Sequence, residues 1–140
     1  MISGFPTESE KEHLELLNFV KKGWFDRLGV FPYSTEEGTK AAKIVGKLPK
    51  RIKEKRAKEI MDAQMKVSFR KNKKKVGKTF EVLVEEVDTI NNIFGGRTYM
   101  DSPEIDGMVY FEGKTGTDIG DYVKVKITAC DEYDLTGVEI

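Results

Sequence analysis

The spacing of apolar residues changes once along this chain, at residues 76–78, and that change limits the folds open to it. Before this point apolar residues recur at helical spacing, most clearly over residues 50 to about 74. Beyond it they alternate with polar residues in three runs, at residues 80–85, 108–111 and 122–127. The sequence therefore predicts a long helix that leads into an all-β part.

The all-β part has the pattern of a small closed barrel. Its alternating runs are separated by turn signals at Gly95-Gly96, at residues 112–114 and at Gly120-Asp121. Short strands at this spacing are typical of barrels of the oligonucleotide-binding (OB) type. We expect such a barrel over residues 76–140.

The first residues predict a strand, a helix and a second strand. Residues 1–4 are expected to end a strand, Thr7 and Glu10 match a capping box, the helix should end near Lys22, and residues 27–31 form an apolar run. Strands joined by such a crossover are parallel. Parallel sheets need several strands covered by helices, so two strands alone predict the end of a larger barrel or a sheet completed by another chain.

Two local expectations concern the same half of the chain. A short helix should begin at residues 35–37, weakened by Gly38 and Thr39, and should be broken at residues 47–49. His13, the single histidine, is expected to be a solvated residue on the surface of the first helix.

Charge is strongly segregated although the formal net charge is zero. Residues 47–78 carry 14 basic and 3 acidic side chains, whereas residues 79–140 carry 4 basic and 14 acidic ones. Such an asymmetry determines partners more than fold. The basic helix is interpreted as a packed connector with a solvated face, or alternatively as a surface for an RNA or for the acidic barrel.

Composition excludes several classes of site. Cys130 is the only cysteine, so an internal disulfide is excluded and no metal cluster can be held by thiolates of this chain alone. No apolar run approaches the ~20 residues that cross a bilayer, and the N-terminus lacks signal-peptide order. We expect a cytoplasmic protein with no membrane partner, no metal site and no catalytic residues of its own.

Four strings of residues carry a family resemblance. Residues 2–8 (Ile-Ser-Gly-Phe-Pro-Thr-Glu) and 26–34 resemble the end of the radical S-adenosylmethionine (SAM) barrel in the methylthiotransferase family. Residues 94–107 and 120–127 are similar to the TRAM segment of the branch that modifies an aspartate of the twelfth protein of the small ribosomal subunit. The resemblance covers nearly the whole chain.

The resemblance implies an organisation and a set of cofactors. Residues 1–46 would be the incomplete end of a TIM-like radical SAM barrel, residues 47–75 a basic connecting helix and residues 76–140 the TRAM domain. The full-length family uses SAM and two four-iron four-sulfur clusters, one of them held by a C-x-x-x-C-x-x-C triplet. That triplet is missing here, so this chain is expected to bind no cluster and to be inactive alone.

The resemblance also implies two groups of site residues. A SAM pocket at the mouth of the barrel would include Gly4, Phe5, Glu8, Phe31, Tyr33 and Ser34, although tight turns, helix capping and core packing explain the same residues. A loop that recognises the substrate would include Arg97, Tyr99, Asp101, Glu104 and Asp106, although these also suit a loop built from turns.

The functional alternatives belong to different classes. In the first, the chain is the C-terminal part of a ribosomal-protein methylthiotransferase, in which the TRAM domain recognises a basic protein of the small ribosomal subunit. In the second, the barrel is a TRAM-type RNA-binding module or part of a tRNA methylthiotransferase, and the basic helix contacts ribosomal RNA. A third is a truncated product without activity. The acidic barrel favours the basic protein, because a surface that follows phosphates needs Lys and Arg.

Overall fold

The computed structural model describes residues 1–140, which form two compact units, Met1–Val67 and Ser68–Ile140. The first contains β1 (Ile2–Ser3), α1 (Glu10–Lys21) and β2 (Phe31–Pro32). Helix α2 (Lys50–Lys73) begins in the first unit and ends in the second. Neither helix combines the length and the apolar character that a bilayer crossing requires.

Strands β1 and β2 pair in parallel, with Ile2 opposite Phe31 and Ser3 opposite Pro32, which confirms the predicted orientation. The second strand is shorter than predicted. Residues 27–30 are outside it, although Leu28 and Val30 pack against the core around Val20. The apolar run is therefore only partly buried, with Phe31 largely exposed, and most of it forms no hydrogen-bonded strand, because two strands offer few backbone partners.

The N-cap of helix α1 lies two residues later than the sequence predicted. The N-cap is Ser9, whose hydroxyl accepts from the amide of Glu12, while the Glu12 carboxylate accepts from the amide of Ser9. The capping box assigned to Thr7 and Glu10 is therefore wrong. Thr7 has a φ of 73° and belongs to the tight turn after β1. The helix ends at Lys21, as expected.

Two other expectations for this unit are wrong. His13 is buried rather than solvated, and its Nε2 lies 2.7 Å from Oε2 of Glu59 on α2. The helix expected from residue 35 is reduced to a 3₁₀ turn at Ala41–Lys43, because Gly38 takes a φ of 81° and Thr39 bonds locally to Glu36 and Ala42.

Helix α2 confirms the long basic helix. It starts after Pro49, whose carbonyl oxygen accepts from the amides of Ile52 and Lys53. In the first unit its buried face contributes Ile60 and Ala63 to the core around Val20. The exposed basic side chains surround this apolar stripe, as expected for an amphipathic helix.

The second unit contains five strands: β3 (Thr79–Asp88), β4 (Ile93–Arg97), β5 (Val109–Glu112), β6 (Tyr122–Cys130) and β7 (Leu135–Glu139). They form a closed barrel in the order β3-β4-β5-β7-β6, which confirms the predicted small barrel. Within the barrel only β5 and β7 pair in parallel. The inward side chains form one buried core: Val82, Val84, Phe94, Val109, Phe111, Val125, Ile127 and Leu135.

Gly95 and Gly96 lie inside β4, so the turn predicted from them is wrong. A Cβ at Gly96 would overlap the carbonyl oxygen of Leu83 on β3, and a Cβ at Gly95 would overlap the side chain of Glu86. Glycine is used here for close approach between strands rather than for chain reversal. The sequence also gave no alternating signal for β7.

Candidate functional site

The residues predicted for a SAM pocket lie at the ends of β1 and β2. Because these strands are parallel, Gly4 and Tyr33 follow them on the same edge. The rings of Phe5 and Tyr33 meet edge to face, with centroids 5.3 Å apart. Phe31 is in β2 and its side chain is largely exposed, and Ser34 is exposed beside Tyr33.

Glu8 is fixed by contacts within the first unit. Its Oε2 accepts from the amide of Gly4 at 2.9 Å, and its Oε1 accepts from Nη1 of Arg56 at 2.8 Å. Nη2 of Arg56 also donates to Glu10 at 3.0 Å. The side chains of Glu8 and Arg56 are only 11% and 7% exposed, so the pair holds the turn after β1 onto α2.

A cavity of 260 Å³ lies at the end of β2 and includes two residues that sequence reasoning missed. Lys53 donates through Nζ to the carbonyl oxygen of Tyr33 at 2.8 Å, and Lys50 lies beside it. The buried hydroxyls of Ser3 and Tyr33 have no hydrogen-bond partner. No signal distinguished Lys53 from the other lysines of α2. The remaining lining is Pro32, Ser34, Thr35 and Glu54.

The predicted recognition loop places its polar residues in different roles. Asp101 is buried, and its Oδ2 accepts from the amide and hydroxyl of Thr98. Asp106 accepts from the amide of Ser102. These two carboxylates shape the loop, whereas Tyr99 and Glu104 are exposed.

Arg97 stands at the end of β4 on the outer face of the barrel. Its Nε donates to Oε1 of Glu85 at 2.6 Å. Arg97 also lines a cavity of 220 Å³. The other lining residues are Glu81, Leu83, Thr98, Tyr99 and Tyr122. The structure thus brings together Arg97 and Tyr99, while Glu104 and Asp106 are outside this lining. Whether any of the five contacts a partner stays a prediction.

Carboxylates are also concentrated near Tyr110 on the outer face of β5. Burial raises the pKa of the Tyr110 phenol, and the charges of Asp134, Glu86 and Asp131 raise it further. Part of the negative charge predicted from composition is therefore grouped around Tyr110 on the barrel surface.

No group of three or more His, Cys, Asp or Glu side chains is arranged to hold a metal ion. Cys130 is a free, half-buried thiol at the end of β6.

Residues 76–140 match the family model described as the TRAM domain. The chain is 51% identical over 138 residues to the ribosomal protein uS12 methylthiotransferase RimO of Clostridium botulinum strain Hall, covering 99% of this chain and 31% of that relative. Its identity to the protein of the same name from Carboxydothermus hydrogenoformans is 46% over 136 residues, which covers 97% of this chain. The chain thus spans about a third of the length of the curated relatives it matches. By these matches the chain corresponds, over almost its whole length, to the C-terminal part of RimO proteins, and its barrel is a TRAM domain.

Proposed function

We propose that this chain is the substrate-recognising part of a radical SAM methylthiotransferase acting on ribosomal protein uS12, and that it makes no catalytic contribution by itself. The relatives are named as methylthiotransferases of ribosomal protein uS12, which supports the substrate, and their identity of about half extends over almost the whole chain. The observation that carries the recognition role is the charge of the barrel, which has 14 acidic and 4 basic side chains over residues 79–140.

An acidic barrel suits a basic polypeptide better than a nucleic acid. Carboxylates on the outer face attract lysine and arginine side chains and repel phosphates. Among the predicted contact residues, Tyr99 and Glu104 are the exposed ones that can meet a partner directly. Arg97 is partly neutralised by Glu85, so it offers little free positive charge to an RNA.

We further propose that the first unit forms part of a SAM site. Ligands bind at the carboxyl ends of parallel strands, which is where Gly4, Phe5, Tyr33 and Ser34 lie. The unpartnered hydroxyls of Ser3 and Tyr33 fit a polar ligand, because buried polar groups normally find a partner. Bound there, SAM would supply the carbon radical used by the full-length family, with the electron for its cleavage coming from a cluster held outside this chain. The carboxylate of Glu8 already accepts hydrogen bonds from Gly4 and Arg56. Glu8 would therefore support the turn rather than contact the ligand.

The residues present do not fit an iron–sulfur cluster. A cluster needs several thiolates, and Cys130 is the only cysteine. No step of the reaction is therefore assigned to residues of this chain.

Binding measurements on the whole chain test the proposal. The chain is titrated against purified uS12 and against a short single-stranded RNA, at about 0.1 M and about 1 M salt, where the Debye length falls from ~10 Å to ~3 Å. We expect uS12 to bind more tightly than the RNA and to lose affinity at high salt. Tighter binding of the RNA would replace the proposal.

RNA binding has one observation in its favour, the basic helix. Residues 47–78 carry 14 basic side chains, and many of those on α2 are exposed. An RNA contact through α2 predicts that Lys66→Gln with Arg70→Gln weakens RNA binding and leaves uS12 binding unchanged. Equal binding of RNA by this variant and by the unmodified chain would remove this alternative.

A further inference from the structure

A groove runs across three strands on the outer face of the barrel. Gly95 of β4 is opposite Glu86 of β3 on one side and opposite Tyr110 of β5 on the other. Because Gly95 has no side chain, its two neighbours form walls on either side of its backbone, which is buried at the bottom of the groove. We call this the Gly95 groove; it has a volume of 350 Å³ and is lined by Glu86, Val87, Asp88, Ile93, Gly95 and Tyr110.

The strand geometry directs Glu86 into this groove. A bulge in β3 shifts the register between Val84 and Glu86, and bulges re-aim the side chains that follow them. The side chain of Glu86 lies over Gly95 so closely that a Cβ there would overlap it. A glycine in a strand often marks such a close approach. The shape of the groove thus depends on both the bulge and the glycine.

The two consecutive carboxylates at the bulge differ in their partners. Glu85 is paired with Arg97 at 2.6 Å, whereas Glu86 makes no hydrogen bond or ion pair within the chain. Asp88 at the end of the groove accepts from Asn91, and that hydrogen bond holds the pKa of its carboxyl below the usual range. Asp88 is therefore charged at neutral pH, and no cationic side chain lines the groove.

We propose that the Gly95 groove binds an arginine side chain of the basic polypeptide partner, an inference that rests on the proposed function. Glu86 offers an unpaired carboxylate, the kind of group that a guanidinium binds with two parallel hydrogen bonds. The ring of Tyr110 offers the aromatic face on which a guanidinium stacks, and Ile93 offers apolar surface for its methylene groups. Arginine suits these features better than lysine, whose ammonium is a compact, strongly hydrated charge.

The groove disfavours a nucleic acid for the same reasons. Phosphates would approach Glu86 and Asp88 without a lysine or arginine to neutralise them. Tyr110 could stack a base, but the carboxylates of Asp134 and Asp131 also act on its phenol. The occupant is therefore a cation rather than a nucleotide.

The first test maps a defined probe on the whole chain by NMR. The isotope-labelled chain is titrated with a hexa-arginine peptide and, separately, with a hexa-lysine peptide. At the lowest concentrations the hexa-arginine peptide should shift the amide resonances of Gly95 and Tyr110. Glu86→Gln should weaken the affinity for this peptide about fivefold, as expected for one well-formed but exposed charge pair. The hexa-lysine peptide should bind more weakly at the groove.

Glu112→Gln is the matched control. Glu112 is exposed at the end of β5 and is outside the lining of the Gly95 groove, and its replacement makes the same change in net charge. We expect it to change affinity less than about twofold. Equal losses in the Glu112 and Glu86 variants would show diffuse attraction and overturn the groove as a site.

Tyr110→Leu tests the aromatic wall separately from charge. It should weaken binding of the hexa-arginine peptide about threefold, a typical effect for an exposed cation–π contact. It should also reduce the difference in affinity between the hexa-arginine and hexa-lysine peptides. An unchanged preference for arginine would contradict the assigned role of the ring.

Titration with uS12 separates this inference from the proposed function. If uS12 binds the unmodified chain and the Glu86→Gln variant equally well, the groove is not the site, although the proposed function stands. If uS12 does not bind while the arginine peptide occupies the groove, the proposed function fails and the groove stands. A short RNA that shifts Gly95 and Tyr110 more strongly than the arginine peptide would overturn the groove assignment itself.

Discussion

The barrel and the first unit differ in how their strands find partners. Each barrel strand pairs on both sides, and eight inward side chains form a continuous apolar core. Strands β1 and β2 pair only with each other, over two residues each. The first unit has a smaller apolar core around Val20, and polar pairs, chiefly Arg56 with Glu8 and His13 with Glu59, also join its elements. Apolar packing tolerates many local changes, whereas a buried charge depends on one partner.

This difference predicts where each unit is sensitive. The barrel should depend on the volume of its core and on the close approach of its strands. The first unit should depend on charge pairs and on helix capping. Substitutions matched for size but placed in the two units can separate these dependences, provided that each unit is followed by its own residues.

The largest effect is expected for Phe111→Ala in the barrel core. Phe111 is 1% exposed and its ring stacks on Phe94 with centroids 5.7 Å apart. Loss of the ring should lower the free energy of unfolding of the barrel by about 4 kcal/mol. Hydrogen exchange at the amides of Val125 and Ile127, recorded at increasing denaturant concentration, measures this free energy of unfolding. Phe31→Ala, at a residue 65% exposed, is the control and should cost far less; equal losses would remove the contrast between the units.

A smaller but still large effect is expected for Arg56→Ala in the first unit. Removing the guanidinium leaves the carboxylate of Glu8 largely buried without its cation, which costs about 3 kcal/mol for a broken buried pair. Exchange should accelerate at the amides of Gly4 and His13 while the barrel amides keep their protection. Restoration by a second substitution, Glu8→Gln, would support the charge explanation, and a barrel that loosens equally would contradict it.

The sequence predicted elements well where one period ran through many residues. The long helix and strands β3, β5 and β6 follow from periodicity, and the closed barrel follows from their spacing. Strand β4 was missed because Gly95 and Gly96 are turn residues in most sequences. What made them strand residues was the nearness of Leu83 and Glu86, which no local pattern reveals.

The candidate site residues were predicted unevenly for a related reason. The family strings predict Tyr33 and Arg97 as site residues, which stays a prediction, and composition could not tell an exposed carboxylate from a buried one. Asp101 is buried in its loop, whereas Glu86, which no motif marked, faces an open groove. His13 shows the same limit, since its partner Glu59 is 46 residues away along the chain. Tertiary contact, rather than residue type, decides these roles.

Gly96→Ala tests the close approach within the barrel. The new Cβ would overlap the carbonyl oxygen of Leu83, so the strands must separate, at a cost of about 2 kcal/mol for overpacking. Thermal unfolding monitored by circular dichroism provides the measurement. Gly29→Ala in the first unit is the control, because its Cβ would make only ordinary contacts with the ring of Phe31. A barrel as stable as the unmodified one would mean that β3 and β4 adjust freely.

The smallest effect is expected for Glu12→Gln at the start of α1, and it should appear only in acid. The hydrogen bonds from Ser9 hold the pKa of the Glu12 carboxyl below its usual range. A lowered folded pKa gives a stabilisation that is complete above the unfolded pKa and is lost as pH falls through the folded one. The helical Cα shifts of residues 10–13, followed by NMR from about pH 6 to about pH 2, should therefore decline at low pH in the unmodified chain. Glu12→Gln should abolish most of this decline, whereas Glu15→Gln, exposed on the same helix and outside the cap, should preserve it. An identical acid response in both variants would mean that the capping box does not control the start of α1.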